Sequence, residues 1–404
     1  MAVFTDGYFT MNEDEAIEFT KAKLGFFPAD AELTCKEIGD GNLNYVFRVV
    51  DVNSGKSIII KQAGPVARIS DEFKLSPDRN RIESEILSLQ DKLAPGFVPK
   101  MYHYDPIMNC CVMEDLSDHE IMRGALMKHK QFPLFADHIS TFMAQTLLLT
   151  SDVAMGHKEK KELVKSFINP ELCEISEDLV YTEPFYDCPR NDVFPGSRDF
   201  VREFIWEDRK LSLETAKLKF EFMANAQSLI HGDLHTGSIF IKEDSTKVID
   251  PEFAFYGPAG YDVGNVVANL IFAYVNALFT GPSDQVEYLE RTISEVIDLF
   301  KEKFLALWDE NSVERTARYE GFREYYLDSI LRDTAAVAGL ELCRRIIGLA
   351  HVKDITSIEQ PETRAMAEKI CLTAGKEFIL NRELFKTGGD FAKAIRQSAA
   401  VFSK

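Results

Sequence analysis

Hydrophobic and polar positions follow two different periods along this chain, and the change of period divides it. Residues 11–26 place apolar side chains at helical spacing, with Asn12 positioned as a cap and acids in the first turn, which predicts an amphipathic helix. Three β-rich runs follow at 33–38, 43–52 and 57–62, the last entered through the turn Asn53-Ser54-Gly55-Lys56. Residues 79–93 return to helical spacing, and two more short strands are predicted at 101–104 and 110–113, around the Asp105-Pro106 turn. Beyond Leu116 the pattern is mainly helical, interrupted by hairpin-like segments near Asp233 and Asp250. The expectation is an α+β chain of two lobes. Residues 1–115 form an antiparallel sheet with one inserted helix, and 116–404 form a mainly helical lobe. A ligand cleft is expected at their junction.

Composition narrows the function classes. The chain has 404 residues, 46% hydrophobic and 27% charged, enough for well-buried cores. A formal net charge of −19 repels nucleic acid and anionic membrane, so neither is an expected partner, and a nucleotide would need a local basic pocket. The longest apolar run, 266–278, reads as too short and too interrupted by Asn to cross a bilayer. The first residues lack a basic start and an apolar core, so no secretory leader is expected. Seven scattered cysteines, none in a CxxC pair, fit reduced thiols in a cytoplasmic protein.

The candidate chemistry concentrates in His231-Gly232-Asp233-Leu234-His235-Thr236-Gly237-Ser238-Ile239-Phe240 and Val248-Ile249-Asp250-Pro251-Glu252. Each segment sets a carboxylate in a polar turn after an apolar run. Phosphoryl transfer needs one carboxylate to orient a hydroxyl and others to hold Mg²⁺ on nucleotide phosphates. Asp233 is the candidate for the first task. Asp250 and Glu252, with Pro251 fixing the backbone between them, are candidates for the second. His231 reads as a scaffold group. A zinc reading of His231, Asp233 and His235 is weakened by their setting in a turn with no cysteine nearby. Upstream, Gly39-Asp40-Gly41-Asn42 can aim backbone N–H groups at phosphates or simply close a hairpin. Lys61 ends the Ile58-Ile59-Ile60 run and is either a solvent-reaching lysine or a phosphate ligand steadied by a helix acid. Glu83 is favoured over Glu85, since residues two apart cannot share a helix face. Glu114, Asp115 and Leu116 end the last strand, where backbone groups can meet an adenine edge. Arg344 and Arg345 interrupt an apolar helix, and buried charges persist only when paired or liganded, so they are either an ion pair with an acid such as Glu341 or a substrate clamp.

Together these segments resemble the protein-kinase-like superfamily in its aminoglycoside-phosphotransferase and choline-kinase branch, and within it the 5-methylthioribose kinase family. The resemblance rests on the stretches already quoted, on Asn44-Tyr45-Val46-Phe47, on Phe167-Ile168-Asn169-Pro170 and on Cys343-Arg344-Arg345-Ile346. Ser238 stands where kinases generally carry an Asn metal ligand, but a serine is expected in this family. It puts a second Mg²⁺ site in doubt, since a hydroxyl offers at best a hold on metal-bound water. The resemblance implies ATP-dependent phosphorylation of the anomeric hydroxyl of 5-methylthioribose in methionine salvage, by a homodimer. It implies nucleotide or metal contacts at Asn44, Lys61, Glu114–Leu116, Asp250 and Glu252, catalysis and substrate contact at Asp233, and substrate or transition-state contacts at Arg344 and Arg345, while Gly39, Gly41, Glu83 and Pro251 join the nucleotide set on the residue reading alone. The alternatives are a related kinase of choline, homoserine or aminoglycosides, or a nucleotide-binding scaffold without activity. Cationic substrates would call for an acidic, aromatic pocket, against which the arginine pair argues.

Overall fold

The computed structural model describes residues 4–38, 44–64, 76 and 78–402. The chain forms two compact units, Met1–His119 with Lys247–Ala254, and Glu120–Thr246 with Phe255–Lys404. The sequence reading divides the chain after 115 and leaves the Asp250 segment with the helical part. The structure instead groups that segment with the N-terminal unit, because its carboxylates pair with basic and amide groups there.

The first unit contains α1 (Glu13–Lys23), β1 (Leu33–Glu37), β2 (Asn44–Asp51), β3 (Ser57–Ala63), α2 (Arg79–Leu93), β4 (Met101–Asp105) and β5 (Cys110–Glu114). The strands form one antiparallel sheet in the order β1-β2-β3-β5-β4. Strand period two explains its core: Phe47, Val49, Ile58, Ile60, Cys110 and Val112 turn inward against Phe19 and Met11. Asn12 caps α1 in a reciprocal box, its side chain accepting the Glu15 N–H at 2.9 Å while Glu15 accepts the Asn12 N–H at 2.8 Å. Lys61 lies on the central strand, opposite Val46 and Cys111.

The second unit opens with β6 (Glu120–Ile121), α3 (Met122–Met127), α4 (Phe135–Leu149), α5 (His157–Ser166), α6 (Pro170–Leu179), α7 (Arg198–Val201) and α8 (Arg209–Ala224). It continues with β7 (Ser228–Ile230), β8 (Ile239–Lys242), β9 (Ser245–Val248), through which the division passes, and β10 (Phe255–Gly257). Then come α9 (Gly260–Thr280), α10 (Ser283–Asn311), α11 (Phe322–Ile347), α12 (Lys353–Thr356), α13 (Pro361–Leu380) and α14 (Gly388–Phe402). The helix α9 packs against α10, α11 and α13. It extends well beyond the 266–278 run, so by length and composition it could cross a membrane, contrary to the sequence reading. In the fold 83% of its most apolar window is buried, as befits a core helix. Its crossing with α11 is close: a Cβ on Gly264 would lie 2.7 Å from the Thr334 carbonyl oxygen. That approach needs glycine.

Candidate active site

In the first unit, strand geometry points Lys61 at the buried face of α2, where helical spacing presents Glu83. The ammonium lies 2.8 Å from the Glu83 carboxylate and also pairs with Asp250. Burial opposes the Lys61 charge, but Asp250, Glu83 and Glu252 outweigh it and hold its pKa well above the ordinary value. Burial pushes the Glu83 carboxyl up, against the pull of Lys61. Glu85 points outward and pairs with Arg81 at 2.9 Å.

Asp250 has φ 68°, a left-handed conformation that only a few non-glycine residues tolerate. Such a backbone costs on the order of 1–3 kcal/mol and persists where surroundings enforce it. Here the Lys61 pairing holds it against the extended conformation that the following Pro251 favours. Its side chain is 40% exposed, whereas Glu252 is buried and accepts from Asn44 Nδ2 at 3.1 Å.

Sequence reasoning missed Arg79. This first residue of α2 is 2% exposed. Its guanidinium donates to Asn44 Oδ1 at 3.1 Å, to the Gly64 carbonyl at 3.2 Å and to the Ser76 carbonyl at 3.1 Å, and lies 3.4 Å from Glu252. It ties the start of β2, the end of β3 and the Asp250 loop together. Arg79→Ala is expected to destabilise the protein by about 3 kcal/mol, the usual scale for stranding a buried partner. It is also expected to raise KM for ATP while KM for the acceptor stays near wild type, read from rates with each substrate varied in turn. An unchanged KM for ATP would make Arg79 a packing residue only.

At the end of β5, the Asp115 carboxylate accepts from Arg48 Nε and Ser57 Oγ, both at 2.6 Å. The Glu114 N–H reaches the Lys100 carbonyl at 2.9 Å, and the Leu116 carbonyl accepts from His119 at 2.9 Å. Gly39 and Gly41 lie outside the described residues.

In the second unit, β7 runs into the 231–238 turn. The buried Asp262, near the start of α9, accepts the His231 N–H at 2.7 Å and the Gly232 N–H at 3.0 Å. His231 Nδ1 in turn accepts the Asp233 N–H at 3.2 Å, so the imidazole serves as scaffold. Asp262 is a second residue that sequence reasoning did not single out. Its signal was there, a carboxylate in the first turn of a strongly apolar helix. His235 Nδ1 accepts the Ser238 N–H at 3.0 Å and lies 3.0 Å from the Ser238 hydroxyl, while Nε2 lies 3.5 Å from Asp233.

Burial would raise the Asp233 pKa, but His235, Arg345, Arg344 and His231 overcome it and hold the carboxyl at about 2. Burial, aided by Arg123 and Arg345 and opposed by Asp233, lowers His235 to about 4, so it is neutral at physiological pH. On α11, Glu341 is 1% exposed and lies 3.0 Å from Arg344 Nε and 2.7 Å from Arg345 Nε. Arg345 Nη2 stands 4.0 Å from Asp233. The ion pair and the approach to Asp233 thus coexist on one helix.

Two hard carboxylates, Asp250 and Glu252, suit Mg²⁺, which takes one or two of them and completes its shell with phosphate and water. Among the described residues no group of three or more His, Cys, Asp or Glu is set to hold a metal ion.

Comparison with known proteins gives this chemistry a lineage. The profile of the Phosphotransferase enzyme family matches residues 190–287. A methylthioribose kinase from a Geobacillus species is 45% identical over 97% of this chain and 96% of its own. A methylthioribose kinase from Bacillus pumilus is 42% identical over 98% of this chain and 99% of its own. The crystal structure of a choline kinase from Cryptosporidium parvum superposes with a TM-score of 0.50 at 16% identity, covering 92% of this chain and 97% of that one, and so shares the fold. With near-full-length identity at this level, the chain belongs to the methylthioribose kinase family.

Proposed function

We propose that this protein transfers the γ-phosphoryl group of ATP to the anomeric hydroxyl of 5-methylthioribose, giving the 1-phosphate in methionine salvage. The observation that carries the reading is that one chain holds both charge sets this reaction needs: Lys61, Asp250, Glu252 and Asn44 on the first unit, and Asp233 beside Arg345 on the second. The named relatives support the choice of sugar.

In this reading the first unit binds nucleotide. The Glu114–Leu116 backbone meets the adenine, the Gly39–Gly41 turn and Asn44 meet the phosphates, and Lys61, steadied by Glu83, contacts the α- and β-phosphates. Asp250 and Glu252 would hold Mg²⁺, which neutralises charge developing on the transferred group. Ser238 adds at most a hold on metal-bound water. On the second unit, Asp233 orients the sugar hydroxyl. Against burial, the neighbouring His and Arg groups hold its carboxyl low, so it is ionised and able to accept the hydroxyl proton. Arg344 and Arg345 offer fixed positive charge to sugar oxygens or the transferring phosphoryl group. A cytoplasmic homodimer is part of the same proposal and rests on the family resemblance, and the net charge of −19 supports a partner set without nucleic acid or membrane.

Phosphorus NMR of the product tests the position of transfer. The expected resonance is an ester phosphorus coupled to the anomeric proton. Coupling to a ring proton at another carbon, or no ester at all, would overturn the assignment.

A further inference from the structure

Asp354, on α12, is a carboxylate the proposed chemistry does not use. It is 1% exposed, and neither oxygen accepts a well-formed hydrogen bond. Burial lifts its carboxyl to about 6 against the pull of Arg123 and Arg345. Such a group persists in a core only if it compensates a charge.

That charge is Arg123 on α3, whose Nε lies 3.5 Å from Asp354 Oδ2. The guanidinium continues inward: Nη2 donates to Asn269 Oδ1 at 2.9 Å. The same Asn269 oxygen accepts from the Thr236 hydroxyl at 3.4 Å, so α9 couples the arginine to the turn. Nη1 abuts the turn directly, 3.1 Å from where a Cβ on Gly237 would stand. The His235 ring would lie 2.9 Å from that same Cβ, so imidazole and guanidinium meet at one face of Gly237. The guanidinium, anchored by a buried acid, is therefore set against the turn at the glycine where the turn's own imidazole, which faces Asp233, also lies. Asn276, also on α9, donates to the Asp354 carbonyl at 2.6 Å and fixes the anchor.

We infer that Arg123 and Asp354 form a positioning pair, in which Asp354 holds Arg123 against the 235–238 turn and Arg123 thereby holds the Asp233 carboxylate in its working orientation. Neither residue is assigned a contact with substrate. The inference deepens the proposed function and rests on the placement of Asp233 at the reacting hydroxyl. A merely structural pair behaves differently, because replacing both members of a buried ion pair by apolar residues of similar size is often neutral for stability.

The test is the double variant Arg123→Met with Asp354→Leu, beside Arg123→Lys and Gly237→Ala. The expected result for the double variant is an unchanged or higher Tm, kcat lower by about 10²-fold, as for a small misplacement of a reacting group, and an unchanged KM for ATP. Arg123→Lys should recover part of that loss, since it keeps the charge but not the fork that reaches Asn269 and the turn together. Gly237→Ala, which pushes on the turn from within, should reproduce the loss of kcat. Wild-type kcat in the folded double variant overturns the proposal. If that variant does not fold, wild-type kcat in Gly237→Ala overturns it instead. Should the wild-type protein itself fail to phosphorylate methylthioribose, the reading of function fails separately. The pair is then judged by NMR of the His235 ring, whose resonances the double variant should shift and a purely structural pair would leave in place.

Discussion

Asp233→Ala is expected to lower kcat by at least ~10³-fold, the scale of a lost catalytic acid or base group, while ATP affinity stays close to wild type. The separation follows from where the charges lie. The groups proposed for nucleotide are Lys61, Glu83, Asn44, Asp250 and Glu252, and their pairing partners are in the first unit. Asp233 belongs to the second, and its carboxylate is held by His235, Arg345 and Arg344. With a side-chain exposure of 27%, its truncation leaves no large cavity. Steady-state rates give kcat, and calorimetric titration with ATP gives the affinity. Near-wild-type kcat would remove Asp233 from the mechanism.

The largest expected effect on stability is at Glu341. Its carboxylate is 1% exposed between two guanidiniums, and Glu341→Ala would strand both on a buried stretch of α11. Breaking a buried pair on one side costs about 3–5 kcal/mol, so a fall in Tm on the order of 10 °C is expected by calorimetry. The effect depends on pH with a defined sign. Burial raises the Glu341 carboxyl, but Arg344 and Arg345 outweigh it and leave its pKa below the ordinary value. Its stabilisation is therefore present at neutral pH and lost as pH falls through the folded-state value, so wild type and variant should converge in acid. Arg344→Ala and Arg345→Ala should instead reduce sugar turnover with ATP binding intact. If those two variants lose stability while the folded fraction keeps full kcat/KM for the sugar, the arginines are an ion pair and no more.

Much of this was legible in the sequence because it is local. The period of two in Ile58-Ile59-Ile60 fixes which side chains enter the sheet core, and the Asn12–Glu15 box marks the start of α1. Helical spacing separates Glu83 from Glu85 before any fold is known, and Glu83 is the one that meets Lys61. What was not legible depends on partners far away in the chain. Arg79 looks like an ordinary helix-start charge until Asn44 and Glu252 are beside it. Asp262 is only one carboxylate at the start of an apolar helix until the His231 and Gly232 N–H groups meet it. The Asp250 segment joins the first unit through Lys61, Asn44 and Arg79, and no periodicity records that. Arg123 and Asp354 escaped for the same reason, since only the fold brings α3, α9 and α12 to one turn.

The most direct measurement is ADP release with Mg·ATP across a small panel of acceptors: 5-methylthioribose, ribose, choline, homoserine and kanamycin. Turnover confined to methylthioribose, or at least strongly preferring it, is the predicted result. Efficient turnover of choline, homoserine or kanamycin in its place, or ATP binding with no turnover of any acceptor, would contradict it.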